Sequence, residues 1–369
     1  MQRPKNDVPE SAVPNGVKIA SEWSWRLLVI AALASLAIWL VIIFSDIVIA
    51  IMVAILVAAL LQPTVARLIR HRWPKWLAIV VGLCLVIIAL GGLILLVVWQ
   101  VRAGLSQLEH ESIAAYDNLR ALLRQPPWSV SDAQFAQFIT AITDYFRKDS
   151  SLLVGGAVRV GSTTGHLLTG AVIAVFATIF LLIDGRGIWQ WITRLFPRGA
   201  QDVLETAGLR GWRTLTVFVR VQIAVAVFNG IGIGLVAFFL GLPLAVPIGV
   251  IVLLCSFIPV IGAIVSGAVA VLIALVFAGP LQAVIMLAGV LLVHLVEAHV
   301  LQPLFVGGAV KVHPLAIVIG VAAGTGIAGV PGALFAVPIM AVANSMISSM
   351  VHSARHDKQV DDDDGASVR

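Results

Sequence analysis

Glu297 lies inside 281-LQAVIMLAGVLLVHLVEAHVLQPLFVGG-308, a stretch whose hydrophobicity otherwise belongs in a bilayer. A carboxylate at membrane depth costs roughly 2.5 kcal/mol or more even on lenient insertion scales, so it normally faces a partner, a water-filled cavity or a transported species. His294 stands three residues before it, which a helix places on the same face. His299, Gln302, Gln222, Asn229 and Thr325 complete the set of polar groups available to the apolar half of the chain. A small hydroxylated solute needs only a few buried hydrogen-bonding groups of this kind in a midplane cavity. A second chemistry uses the same residues: Glu297 as the exchange carboxylate of a cation–proton antiporter, tuned by His294 and His299. An antiporter usually pairs two acids, and Asp46 and Asp184 sit at span ends, which favours the solute reading. Arg220, near the start of 217-VFVRVQIAVAVFNGIGIGLVAFFLG-241, either snorkels to the interface or pairs with Glu297 or an anionic substrate.

These groups must be positioned by membrane elements. Hydrophobic residues make up 60% of the 369 residues and charged residues 12%, against about 45–50% and about 25% in soluble domains. The chain reads as an all-α polytopic membrane protein with about seven to eight transmembrane helices. The net charge of +5 is scattered between apolar spans, with no basic stripe of interleaved aromatics, so no nucleic-acid partner is expected. Cys84 and Cys255 lie in apolar segments and make no metal or disulfide pattern. No catalytic motif is present, and no metal, cofactor or enzymatic activity is expected.

Residues 1–26 read as a polar cytoplasmic tail and 27–99 as an N-terminal transmembrane scaffold, its first two spans a hairpin that turns at Ser45–Asp46. The basic loop 67-RLIRHRWPKW-76 belongs on the cytoplasmic side by the positive-inside rule. Residues 100–165 form a small amphipathic extracytoplasmic helical segment. Residues 166–241 hold transmembrane helices and a basic cytoplasmic loop, 184–216. Gly230, Gly232 and Gly234 are expected to give one close-packing face.

From 242 to 351 the apolar stretches shorten and are broken by Pro and Gly. Broken backbone at membrane depth is tolerated only when buried in protein or lining a cavity. Discontinuous helices or re-entrant hairpins are therefore expected, with a first hairpin turning at Ile258–Pro259 near Gly262, and a second around Gly329, Pro331 and Gly332. Pro303, His313, Pro314 and Pro338 mark further breaks. Gly279–Pro280 is a candidate hinge, because glycine absorbs a large dihedral change while proline fixes the next residue. Residues 352–369, with four consecutive Asp from Asp361, are expected to be a disordered acidic tail.

The phrases 257-FIPVIGAIVS-266 and 293-VHLVEAHVLQPLFVGGAVKVHPLAIVIGVAAGTGIAGVPGALFAVPIMAV-342, with 60-LLQPTVARLI-69 and 180-FLLIDGRGIW-189, carry a resemblance. The chain resembles the autoinducer-2 exporter (AI-2E) family of bacterial membrane proteins, which includes permeases of the PerM type. Pro259, Gly262, Glu297, Pro303, His313, Pro314, Leu315, Gly329, Gly332 and Pro338 occupy the family's pattern positions. The chain departs from it at Val221, where glycine is frequent, and at His299, where asparagine is common. The resemblance implies export of a small polar signal molecule through the bacterial inner membrane, from a homo-oligomer that is a ring-like pentamer; the charge pattern places both termini on the cytoplasmic side. Some family members are proposed to exchange Na⁺ or H⁺.

Overall fold

The computed structural model describes the backbone of residues 15–124, 168–258, 261–301 and 313–367, with two single residues between 125 and 167. Every regular element among them is helical: α1 (Asn15–Ile43), α2 (Ser45–Arg70), α3 (Lys75–Arg124), α4 (Leu168–Thr193), α5 (Arg198–Phe239), α6 (Ala245–Cys255), α7 (Ile261–Ala278), α8 (Pro280–Val296) with a π turn at Glu297–Leu301, and α9 (Pro314–Ser367). Among the described residues, seven helices are long and apolar enough to cross a membrane.

Two compact units divide the chain at Val48 and Ile49. In the first, α1 begins at Asn15, so half of the expected tail is already helical. Its described side chains from Ser21 to Ile43 are all exposed, as a lipid-facing span requires.

In the second unit several helices overrun the expected boundaries. The third span ends at Gln100, close to the expected Trp99, but the α3 helix continues unbroken to Arg124, because the helical period of 105–123 is in phase with the span before it. The expected loop 184–216 is helical as well. α4 runs to Thr193, the chain turns over 194–197, and α5 starts at Arg198. Its 42 residues make a rod ~63 Å long at ~1.5 Å per residue, about twice a bilayer's hydrocarbon thickness. Arg186 meets Glu205 at 3.5 Å across this paired extension, and Gln190 donates to the same carboxylate at 3.1 Å. Basic composition therefore marked a polar surface there rather than an irregular loop. The backbone of 352–367, expected to be disordered, continues the α9 helix.

The core lies where α5 to α8 meet. Ile233, Ile248, Val252, Ala270, Met286 and Val293 are buried together. Small residues bring the backbones close: a Cβ on Gly249 of α6 would stand 2.8 Å from the Gly230 carbonyl oxygen of α5, and Gly234 lies against the same glycine. Gly232 instead faces Val293 of α8. The three glycines thus serve two faces, since only residues three or four apart share one.

Both expected reversals have a counterpart in the backbone. α6 ends in a turn at Ser256–Ile258, and Gly262 at the start of α7 packs directly on the Cys255 carbonyl. Pro259 itself lies outside the described residues. α9 is broken at Ala328 (φ −136°, ψ 22°) and Gly329 (φ 61°, ψ −141°). Gly320 packs on Met340, and Gly324 on Gly332. In a continuous helix Gly320 and Met340 would be ~30 Å apart. The two arms must therefore run antiparallel from a tip at 328–329. Gly329 takes a left-handed φ that favours glycine, and Pro331 falls in the first turn of the second arm, where its missing N–H costs no bond. The second arm then runs antiparallel to α5, with Thr214 Oγ1 2.9 Å from Ser345 Oγ and Gly211 against Met346.

Candidate functional site

α8 delivers Glu297. Gly279, at φ 95°, caps it with Pro280 in the first turn, a proline position in which the absent donor is not missed. The same residues place a sharp turn between α7 and α8, where the hinge was expected. At its other end α8 passes at Glu297 into the π turn. A π turn widens the helical ladder, and such insertions recur at functional sites.

The carboxylate is about four-fifths buried. Its Oε2 accepts a 2.9 Å hydrogen bond from Asn229 Nδ2 of α5 and lies 3.0 Å from His294 Nδ1. With Glu297 ionised, the imidazole donates from Nδ1, and its Nε2 is then an acceptor when the ring is neutral. Asn229 is 2% exposed. Its Oδ1 and His294 Nε2 are both buried with no hydrogen-bond partner among the described residues. Buried polar atoms are nearly always paired, so two such atoms flanking one carboxylate are unusual.

Gln222 is two turns before Asn229 on α5. Its Nε2 donates to the Ser256 carbonyl at 2.6 Å, tying the end of α6 to α5. One helix thus holds both the carboxylate and the first reversal. Arg220 is exposed, as the snorkelling reading expects, and the partners of Glu297 are Asn229 and His294, so the alternative Arg220–Glu297 pair is not formed. Geometry separates the two: Arg220 is nine residues, ~13 Å, along α5 from Asn229. His299 is exposed, its Nδ1 3.0 Å from the Leu295 carbonyl, and does not join the cluster. Thr325 donates to the Val321 carbonyl at 2.7 Å inside the first arm of α9. His313 caps that arm by accepting from the Leu315 N–H at 3.2 Å, with Pro314 as the first helical residue. Pro338 sits within the second arm. Gln302 and Pro303 lie outside the described residues.

Ser266 escaped sequence reasoning. It is 1% exposed in α7, and its hydroxyl has no partner among the described residues. The available signal was a lone serine in 261-IGAIVSGAVAVLIALVFA-278.

A family model described as AI-2E family transporter matches residues 27–352. The chain belongs to the AI-2E transporter family. It is a membrane transporter of that family, with Glu297 and both backbone reversals inside the matched region. Among the chain's relatives, the provisionally named transport protein MT0215 of Mycobacterium tuberculosis is 36% identical over 93% of both chains. The AI-2 transport protein TqsA of Escherichia coli K12 is 20% identical over 80% of this chain and 83% of its own. The provisionally named transport protein YrrI of Bacillus subtilis is 30% identical over 37% of this chain and 38% of its own.

Proposed function

We propose that this AI-2E transporter exports a small, polar, uncharged solute of the autoinducer-2 type through the bacterial inner membrane by secondary transport. Glu297, His294 and Asn229 would line its path. The observation that carries this reading is the half-satisfied cluster: a carboxylate held by two side chains whose remaining polar atoms, Asn229 Oδ1 and His294 Nε2, are buried and orphaned. A hydroxylated solute, or the water it carries, supplies the missing hydrogen bonds. The broken backbones around the cluster support the same reading, since discontinuous helices build midplane sites in secondary transporters. The functional unit is a homo-oligomer, a pentamer, with both termini cytoplasmic and its reversals re-entrant from one side of the bilayer.

The test is transport of autoinducer-2 from preloaded everted and right-side-out vesicles, with wild-type protein and Glu297→Gln. Solute movement by the wild type that the variant loses supports the proposal. A sodium-dependent pH change in everted vesicles without solute movement would replace it with cation–proton exchange at the same carboxylate.

A further inference from the structure

The antiparallel packing of α5 and α9 fixes a register. Thr214 meets Ser345, Gly211 meets Met346, and Leu215 and Val219 pack with Val342. Going outward from the Thr214–Ser345 contact, Arg198 is 16 residues back along α5 and Asp361 is 16 residues on along α9. Both helices are continuous over those stretches. At ~1.5 Å per residue each covers ~24 Å, so Asp361 of α9 stands at the level where α5 begins.

Their charges are then complementary in sequence. Asp202 and Glu205 of α5 are level with Arg355 and Lys358 of α9. Arg194 and Arg198, in and after the 194–197 turn, are level with Asp361–Asp364. An acidic pair and then a basic pair toward the α4–α5 tip thus face a stretch of α9 that carries Arg355, Asp357 and Lys358 and then four consecutive Asp. Arg194, Arg198 and Asp202 are exposed, and the same tip presents Trp191, Leu195 and Phe196 to the outside. A solvated tail would not need this order of signs.

We propose that the C-terminal stretch Arg355–Asp364 docks on the outer end of the α4–α5 pair as a helical clasp held by opposite charge, the backbone of Asp361–Asp364 lying level with Arg194 and Arg198. The occupant of the basic, aromatic tip is then a segment of the same chain. The clasp holds the end of α9 opposite the break at Ala328–Gly329, so it anchors the second reversal from outside. It depends on the packing of α5 and α9 and not on which solute is carried.

The test uses the full chain in membranes, with Cys84 and Cys255 replaced by Ala, and Gln201→Cys paired with Gln359→Cys. A short bis-maleimide should crosslink the pair within one chain. Replacing Asp361–Asp364 by Asn should slow crosslinking by about fivefold or more, and 0.5 M salt should do the same to the parent, because exposed pairs are weak and screened. Combining Arg194→Asp and Arg198→Asp with Asp361–Asp364→Arg should restore the rate. A rate indifferent to charge and salt overturns the clasp, as does a crosslink that joins two chains. Mass shift on denaturing gels separates those outcomes, and expression of each variant is checked by its inserted yield.

Discussion

Asn229 carries more of the site than its single amide suggests. It is the most buried of the polar groups around Glu297 and reaches the carboxylate from a different helix. A hydrogen bond to a charged group contributes about 1.5–3 kcal/mol, so Asn229→Ala should lower transport about 10- to 100-fold while the protein still inserts. Transport in proteoliposomes measures it, and an unchanged rate would leave Asn229 as packing only. Glu297→Gln keeps the size and the capacity to accept from Asn229 but removes the charge. It should lose transport yet stay folded, and full activity would reduce Glu297 to a structural hydrogen-bond partner. At this scale the sequence was informative for Glu297 and His294, because their spacing is local and helical. It was silent on Asn229 as their partner, since contacts between α5 and α8 come from packing. For Arg220 the sequence left two readings open, and its exposure together with its distance along α5 from Asn229 agrees with the interfacial one.

Among the elements, the glycine contacts decide how close α5 and α6 come. Gly249→Val should destabilise the protein by about 1–3 kcal/mol, because its side chain would be forced onto the Gly230 carbonyl. Gly92→Ala, with nothing within 4 Å of the added carbon, should be neutral or slightly stabilising through helix propensity. Thermal unfolding in detergent distinguishes the two, and equal effects would refute close packing. The second reversal offers an accessibility test: Val330 is 68% exposed beside the tip. A cysteine there should react with a polar maleimide, whereas protection from both sides would place the tip in lipid. Pro and Gly were enough to locate both reversals in the sequence. They could not tell a loop from a long polar helix at 184–216, because charge reports solvent exposure and not backbone conformation.

For the whole molecule, the exposed face is itself apolar. Ile88, at the middle of the α3 span, is 71% exposed. In a water-soluble fold, an arginine at such a surface position would be nearly neutral. Here Ile88→Arg should cut the inserted yield sharply, because an arginine near the centre of a span costs about 2.5–3.5 kcal/mol on the insertion scale. Fractionation of membranes from expressing cells would show it, and a normal yield would move that face of α3 out of the lipid. Membrane class was legible from composition alone. Helix lengths were less so, since polar extensions of α3 and α5 follow the same period as the spans they continue.

The reversal at Ala328–Gly329 also alters how this chain is counted. By length and hydropathy, Leu315–Val351 scores as one crossing and would move the C-terminus to the opposite face. Folded back on itself, the segment returns His313 and Val351 toward the same end of α5, and contributes no change of side. A reporter fused after residue 351 should therefore give the same compartment signal as one inserted just before His313. Any tally that treats the segment as a single pass will assign the wrong parity to everything downstream.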